Sequence, residues 1–132
     1  MLIAALCTAS LSSLSMGPVL AQTQEALTFT GNAAVVSDYR YRGISQSRLK
    51  PALQGGFDVT QGAFYLGSWA STINWIKDSG GKANTEIDIY GGVKGDLAKD
   101  TTYDLGVLTY SYPSNGLNPS ANTVELYGAL TF

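Results

Sequence analysis

The sequence contains no histidine, one cysteine and few charged residues: 8 Lys and Arg against 10 Asp and Glu among 132 residues. Without histidine the chain lacks the usual general base, the activator of a serine nucleophile and the commonest metal ligand. A net charge of −2 is not the basic excess that is typical of nucleic-acid binding. We therefore predict no enzymatic activity, no cofactor, no metal site and no nucleic-acid partner.

The first 21 residues carry no charged side chain. An apolar run and a Gly-Pro break precede Val19-Leu20-Ala21, which fits cleavage by signal peptidase after small or apolar residues. The alternative, a membrane helix, needs roughly 20 uninterrupted apolar residues. We predict a signal peptide over residues 1–21 and an exported domain over residues 22–132. The one cysteine, Cys7, would leave with the signal peptide, so the mature chain would have neither disulfides nor thiol chemistry.

From residue 27 onward, apolar and polar residues alternate with a period of two. Successive side chains of a strand point to opposite faces, so each strand would have one apolar face and one polar, charged face. No segment after residue 26 shows helical periodicity. Most of the strands reach the 9–11 residues that a tilted strand needs to cross a bilayer. The predicted strands cover about residues 27–43, 52–60, 63–75, 84–97, 102–112 and 123–132.

The predicted connections alternate between long and short. Residues 61–62 and 98–101 form short turns, whereas the other three connections are longer and rich in turn-forming residues. Outer-membrane barrels have short periplasmic turns and longer outer loops. We therefore predict an all-β, antiparallel, up-and-down meander of about six strands that forms half of an outer-membrane β-barrel. The alternative is a soluble meander whose loops alternate in length by chance.

Charged residues lie mostly at the parity opposite the aliphatic side chains, where a barrel has its lumen. One interpretation is a charged pore lining that biases ion selectivity, and the other is a salt-bridged plug in a narrow lumen. Asp104 follows the pattern less clearly because of the neighbouring Tyr103. Glu86 and Asp88 have a spacing compatible with glycoside chemistry, but acidic pairs on one face are common and we predict no catalysis. The predicted lumen-lining residues are Asp38, Arg40, Arg42, Asp58, Glu86, Asp88 and Glu125.

Aromatic residues cluster near the ends of the predicted strands. We predict that they form girdles at the two membrane surfaces, with ordinary core packing and sugar stacking as the alternatives. The terminal Phe132 has Leu126 and Leu130 on its face, which resembles the signal that the barrel-assembly machinery recognises, although an accidental stop would look the same. The predicted girdle residues are Tyr39, Tyr41, Phe64, Trp69, Trp75, Tyr110, Tyr112 and Phe132.

Two consecutive motifs resemble a known family. Residues 37–46 read Ser-Asp-Tyr-Arg-Tyr-Arg-Gly-Ile-Ser-Gln, and residues 51–58 read Pro-Ala-Leu-Gln-Gly-Gly-Phe-Asp. Together they closely resemble the opening motif of TorF-type porins, a proteobacterial outer-membrane family of poorly defined function. The resemblance implies a porin-like β-barrel in the outer membrane for passive passage of small solutes or ions. Weaker blocks follow in the same order at residues 64–71, 86–92, 103–107, 110–113 and 125–128, so that the resemblance covers residues 27–132.

Members of that family look about twice as long as this chain. Six strands are fewer than the roughly 8 of the smallest single-chain barrels, and lipid cannot satisfy the open edges of a sheet. We therefore expect the N-terminal half of a porin-like barrel from a shortened gene, with closure by a homo-oligomer in outer-membrane lipid as an alternative. Two other hypotheses remain: a soluble secreted or periplasmic β-barrel that binds a ligand against its aliphatic residues, and a surface adhesin fragment.

Overall fold

The computed structural model of the chain describes residues 25–132, and the predicted signal peptide over residues 1–21 lies outside this range. Within the range, no helix is long and apolar enough to cross a membrane. The elements in chain order are β1 (Thr28–Val36), β2 (Arg40–Tyr41), β3 (Ile44–Ser45), β4 (Ala52–Gln61), β5 (Phe64–Thr72), α1 (Trp75–Asp78), β6 (Thr85–Ala98), β7 (Thr101–Ser111) and β8 (Thr123–Thr131).

Six of the strands form one antiparallel sheet in the order β1-β4-β5-β6-β7-β8, and β2 pairs with β3 in a separate small hairpin. The predicted all-β, up-and-down meander of six strands is thereby confirmed. In the described part of the chain, β1 and β8 are the two edges of the sheet and do not pair with each other. The bounds of β4, β6, β7 and β8 differ from the sequence prediction by at most one residue.

The two faces of the sheet differ sharply in chemistry. One face, here called the apolar face, carries large apolar side chains that are more than half exposed on every one of the six strands. The opposite face, here called the polar face, carries carboxylates, hydroxyls and glycines. The apolar face includes Phe29, Phe57, Leu66, Ile89, Leu105 and Leu126. The polar face includes Asp58, Tyr65, Glu86, Asp88, Tyr90, Asp104, Tyr110, Glu125 and Tyr127.

The long connections meet at one end of the sheet and pack on one another. Residues 37–51, 73–84 and 112–122 form this region, here called the loop cap, whereas residues 62–63 and 99–100 are tight turns at the other end. The buried apolar cluster lies in the loop cap and comprises Ile73, Ile76, Ala83 and Tyr112. Burial of apolar side chains therefore stabilises the cap, while the apolar face of the sheet has no covering layer in the described residues.

The first strand is shorter than predicted. β1 ends at Val36, so the prediction of one continuous strand over residues 27–43 is wrong. The cause is Asp38, whose Oδ1 accepts hydrogen bonds of 2.5 Å from Ser45 Oγ and 3.0 Å from Ser47 Oγ. Hydrogen bonds between a short polar side chain and nearby residues compete with strand pairing, so the strand ends before Asp38.

The chain then reverses in the β2–β3 hairpin. Its two-residue turn, Arg42-Gly43, has positive φ at both positions, as a type I′ turn requires. Glycine adopts this conformation without strain, whereas an arginine there is uncommon. Asp38, Arg40 and Arg42 therefore belong to the loop cap, which corrects the expectation that they share a strand face with Asp58.

The third predicted strand also ends early, at Thr72 rather than residue 75. The chain turns into α1, a single helical turn whose Ile76 is fully buried in the cap. The backbone N–H groups of Asn74 and Trp75 donate to the carbonyl of Gln46, at 2.7 and 3.2 Å. A helix of one turn is too short to produce a periodic pattern, so α1 is consistent with the lack of helical periodicity after residue 26.

Candidate functional site

The polar face of the sheet is the candidate site, because it brings together most of the predicted charged residues. Asp58 in β4, Glu86 and Asp88 in β6, and Glu125 in β8 all lie on it. Asp104 in β7 also lies on the polar face. The sequence pattern alone leaves the orientation of Asp104 unclear because of the neighbouring Tyr103. Cross-strand partners share a face, and the pairing of β4 to β8 places these side chains on the same face, with a register shift in β6 between Asp96 and Ala98.

Tyrosine hydroxyls, rather than arginines, are the partners of these carboxylates. Tyr65 donates to Asp104 at 2.5 Å and Tyr110 donates to Glu125 at 3.3 Å. Tyr90 donates to Asp58 at 2.6 Å. Each of these three carboxyl groups therefore accepts a hydrogen bond from a neutral group, and none of them forms an ion pair within the described residues.

The two ion pairs in the described residues lie in the loop cap and not on the polar face. Arg40 Nε lies 2.7 Å from Asp38 Oδ2, and Arg48 pairs with Asp78. Arg42 places its guanidinium 5.2 Å from the centre of the Tyr41 ring and is exposed. The salt-bridged plug that the sequence suggested is therefore not formed by these arginines.

Three tyrosines of the polar face, Tyr65, Tyr90 and Tyr127, each lie opposite a glycine on a neighbouring strand. Tyr65 lies opposite Gly92, and Tyr127 lies opposite Gly106. A Cβ atom at Gly92 would lie 2.5 Å from the Tyr65 hydroxyl oxygen and 2.8 Å from its Cζ, so only glycine leaves room for the ring. The absence of a side chain lets each ring lie flat against the sheet.

The flat rings meet over the middle of the sheet. Tyr65 extends from β5 over Gly92 of β6, Tyr127 extends from β8 over Gly106 of β7, and their hydroxyls form a hydrogen bond. This contact spans two intervening strands, farther than a direct cross-strand pair reaches. Lys94, the basic residue of this region, lies 5.5 Å from the Tyr65 ring. The tyrosines thus connect four strands side to side on the polar face.

An acidic pocket lined with aromatic rings lies where the polar face meets the loop cap. Glu86 is 2% exposed and Asp88 is 7% exposed. Tyr39 donates a hydrogen bond of 2.9 Å to Glu86 Oε1, whereas Asp88 Oδ1 has no hydrogen-bond partner in the described residues. The pocket, called the acidic pocket below, comprises Glu86, Asp88, Glu125, Tyr39, Tyr41, Trp69, Trp75, Tyr110 and Tyr112.

Two adjoining cavities give the acidic pocket its space. One has a volume of about 310 Å³ and is lined by Trp75, Glu86 and Tyr112 among others. The other has a volume of about 580 Å³ and is lined by Trp69 and Asp88 among others. Tyr41, Tyr110 and Glu125 line both cavities. Their volumes fall in the range of small-molecule sites.

The two tyrosines of the cap that face Glu86 remain protonated. Burial, together with the Glu86 carboxylate, raises the pKa of Tyr39 well above its ordinary value of 10.0. Burial followed by the charges of Glu86 and Asp88 raises the pKa of Tyr112 in the same way. Both hydroxyls are therefore neutral donors at any physiological pH.

The structure corrects the girdle prediction for most of the aromatic residues. Tyr39 packs edge-on against Trp69 with ring centroids 5.3 Å apart, and Trp75 packs edge-on against Tyr112 at 5.1 Å. Tyr41 packs in the same way against Tyr110 at 6.0 Å. These six residues cluster in the acidic pocket, as the core-packing alternative predicts. Of the eight predicted residues, the two large exposed side chains outside this pocket are Phe64 and Phe132.

Sequence reasoning assigned no site role to Tyr65, Tyr90 and Tyr127, whose hydroxyls form the hydrogen bonds that connect the strands on the polar face. The available signal was the occurrence of glycine and tyrosine at the polar parity of adjacent strands, but it acquires meaning only once the register is known. The described residues contain no group of three or more Asp, Glu, His or Cys side chains that could hold a metal ion.

The chain is therefore an all-β protein, an antiparallel meander with one exposed apolar face and one polar face that carries carboxylates. The chain belongs to the family described as bacterial protein of unknown function (Gcw_chp), whose model matches residues 20–132. No curated protein and no solved structure matches the chain.

Proposed function

We propose that the chain forms adjacent strands in the wall of a porin-like outer-membrane β-barrel for passive passage of small solutes or ions. The observation that carries the proposal is the exposed apolar face, to which all six strands contribute. A soluble sheet would bury such a face against a second layer. Hydrocarbon is the alternative cover, and the strands, at 9 to 14 residues, are long enough to cross it.

The direction of the edge strands supports a place in a larger barrel. The sheet has an even number of antiparallel strands, so β1 and β8 run in opposite directions. Additional strands, from a second copy or from a longer chain, can therefore continue the antiparallel order at either edge. Lipid cannot satisfy the free N–H and C=O groups of an open edge, so the wall must be completed before it is stable in a membrane.

The polar face supports a preference for cations in the lumen. Carboxylates outnumber basic side chains on the polar face. Lys94 in β6 is a basic residue of this face and lies opposite Asp104 in β7. Rings of carboxylates favour cations in a pore. A measurable preference for cations would distinguish a pore from the soluble alternative. In that alternative the polar face would meet bulk water and the apolar face would enclose a ligand.

Fractionation of a Gram-negative host that expresses the full chain tests the proposal. We expect the protein in the outer-membrane fraction, dependent on the barrel-assembly machinery, with a gel mobility that changes on heating. A monomer that stays in solution without detergent would overturn the proposal, because an exposed apolar face on every strand would then need no lipid. The soluble ligand-binding alternative predicts that outcome.

Conductance across a planar bilayer tests the charge of the lumen. The reversal potential in a salt gradient should show a cation preference, which Asp58→Asn and Asp104→Asn should each reduce. Asp78→Asn is the matched control, because Asp78 lies in the loop cap and pairs with Arg48. Equal selectivity in all three variants would contradict a lumen position for the polar face.

A further inference from the structure

The acidic pocket contains a buried carboxyl group for which the described part of the fold provides no partner. Asp88 is 93% buried, yet its Oδ1 accepts no hydrogen bond within the described residues. A buried carboxylate that is neither paired nor hydrogen-bonded is costly, so an unpartnered one requires an explanation. Glu86 lies on the same face two residues away, which adds like-charge repulsion.

Among the described residues, no basic side chain lines the pocket. Neither cavity has a Lys or Arg among the residues that line it. Arg42 lies over the ring of Tyr41, one of the lining residues, and is itself exposed. A cation from outside could therefore reach Asp88 without displacing an existing ion pair.

We propose that the acidic pocket binds a protonated organic amine, with Asp88 as the principal acceptor of its ammonium group. Glu86 and Glu125 contribute further negative charge, and the rings of Trp69, Trp75 and Tyr110 surround the carbon chain. Access of the amine to the pocket through a lumen rests on the proposed porin function. Binding itself requires only the folded pocket.

The lining favours an organic ammonium group over other cations. Aromatic faces attract organic cations through their quadrupoles and pack against alkyl chains. A free carboxylate oxygen requires a donor, which a protonated amine supplies and a quaternary ammonium ion does not. The described residues hold no cluster of three or more metal-ligating side chains, which disfavours a divalent metal ion.

Tryptophan fluorescence gives a direct measurement of binding. The sequence has two tryptophans, Trp69 and Trp75, and both line the pocket. Butylamine, added to the full-length protein folded in detergent at neutral pH, should change the emission in a saturable manner. Butanol, which has the same chain without the charge, should not. Tetramethylammonium, which has the charge without an N–H donor, should bind at least tenfold more weakly than butylamine.

Two substitutions in the pocket test the roles of the carboxylates. Asp88→Asn keeps the shape of the side chain and should weaken butylamine binding at least tenfold. Glu125→Gln should weaken butylamine binding severalfold. Because Glu125 is partly exposed, this variant still tests the proposal if Asp88→Asn does not fold. Asp78→Asn, in the helical turn next to Trp75 but outside the pocket, should leave affinity unchanged. Equal affinity of Asp88→Asn and wild type would overturn the proposal.

The remaining outcomes distinguish this proposal from the porin proposal. No saturable response to butylamine, or displacement of butylamine by millimolar calcium or magnesium, would overturn the amine site and leave membrane insertion untouched. Binding to a protein that proves soluble would support the amine site while overturning the barrel. Isothermal titration on the same samples checks that the fluorescence change reports binding.

Discussion

The hydroxyl group of Tyr90 donates a hydrogen bond of 2.6 Å to Asp58 Oδ1, although the two residues lie on strands that are not neighbours. Tyr90 is in β6, Asp58 is in β4, and Gly67 of the intervening β5 is the cross-strand partner of both. The ring crosses β5 where a side chain is absent. One glycine therefore permits a contact that connects three strands on the polar face.

Removal of the Tyr90 hydroxyl should destabilise the sheet. Tyr90→Phe keeps the ring over Gly67 but leaves Asp58 without its donor, and hydrogen bonds to charged groups contribute about 1.5–3 kcal/mol. We expect the free energy of unfolding, measured by urea titration in detergent, to fall by about 1–2 kcal/mol. Tyr103→Phe is the control, since the structure records no partner for the Tyr103 hydroxyl among the described residues. Equal losses in both variants would contradict a specific role for the Tyr90–Asp58 bond.

A methyl group at Gly67 should be costly. Its Cβ would lie 2.6 Å from Asp58 Oδ1 and would overlap the Tyr90 ring. Overpacking of this kind costs about 1–3 kcal/mol, because the ring or the strand must move. We expect Gly67→Ala to lower the urea midpoint accordingly. Gly31→Ala, whose Cβ would be 3.6 Å from the nearest atom, should change stability by less than about 0.5 kcal/mol.

The carboxyl group of Asp38 should titrate at unusually low pH. Hydrogen bonds from Ser45 and Ser47, together with the charge of Arg40, lower its pKa below the ordinary value of 3.8. The largest of these effects is the hydrogen bond from Ser45, so Ser45→Ala should raise the pKa of Asp38 more than Ser47→Ala does. Carbon-13 NMR of the carboxyl group measures both shifts directly. A larger shift in Ser47→Ala would contradict the leading role of the Ser45 hydrogen bond.

This pKa shift fixes the direction of the pH effect on the loop cap. Because the pKa is lower in the folded state, the ionised carboxylate favours folding. Its contribution is fully present above about pH 3.8 and is lost as the pH falls through the lower folded-state value. Asp38→Asn should remove this part of the acid sensitivity, which amide exchange of Tyr39, a donor to Ser47 Oγ, would report at matched pH.

The strands and their faces follow from the sequence because both depend on local alternation. Glu86 and Asp88 share a parity in any strand that contains them, and the structure places both on the polar face. β4 and β6 to β8 lie where the alternation predicts, since turn-forming residues bound each of them. The same reasoning overextended the first strand, because Asp38 alternates like a strand residue but bonds to Ser45.

The acidic pocket could not be predicted, because it depends on contacts between distant segments. Tyr39 reaches Glu86 across 47 positions of sequence only after the loop cap folds back on the sheet. The tyrosine–glycine pairs depend equally on register, since a shift of one residue would move Tyr65 away from Gly92. Alternation identifies which residues share a face but not which of them meet.

The clearest test of the membrane-facing surface is a charge at its centre. Ile89 lies on the apolar face, is 53% exposed, and pairs with the middle residue of β5, Ser68. Ile89→Arg should reduce the stability of the membrane-inserted protein by about 2–4 kcal/mol, the cost of an arginine at the bilayer midplane. The folded fraction in lipid vesicles, measured by heat-modifiable gel mobility across a urea series, reports the change.

Ile44→Arg provides the matched control for that charge. Ile44 is 69% exposed but lies in the β2–β3 hairpin of the loop cap, away from the apolar face. The same substitution there should alter stability by less than about 0.5 kcal/mol, as surface changes usually do. If both variants behaved alike, the apolar face would not contact lipid, because water tolerates an arginine equally well at either position.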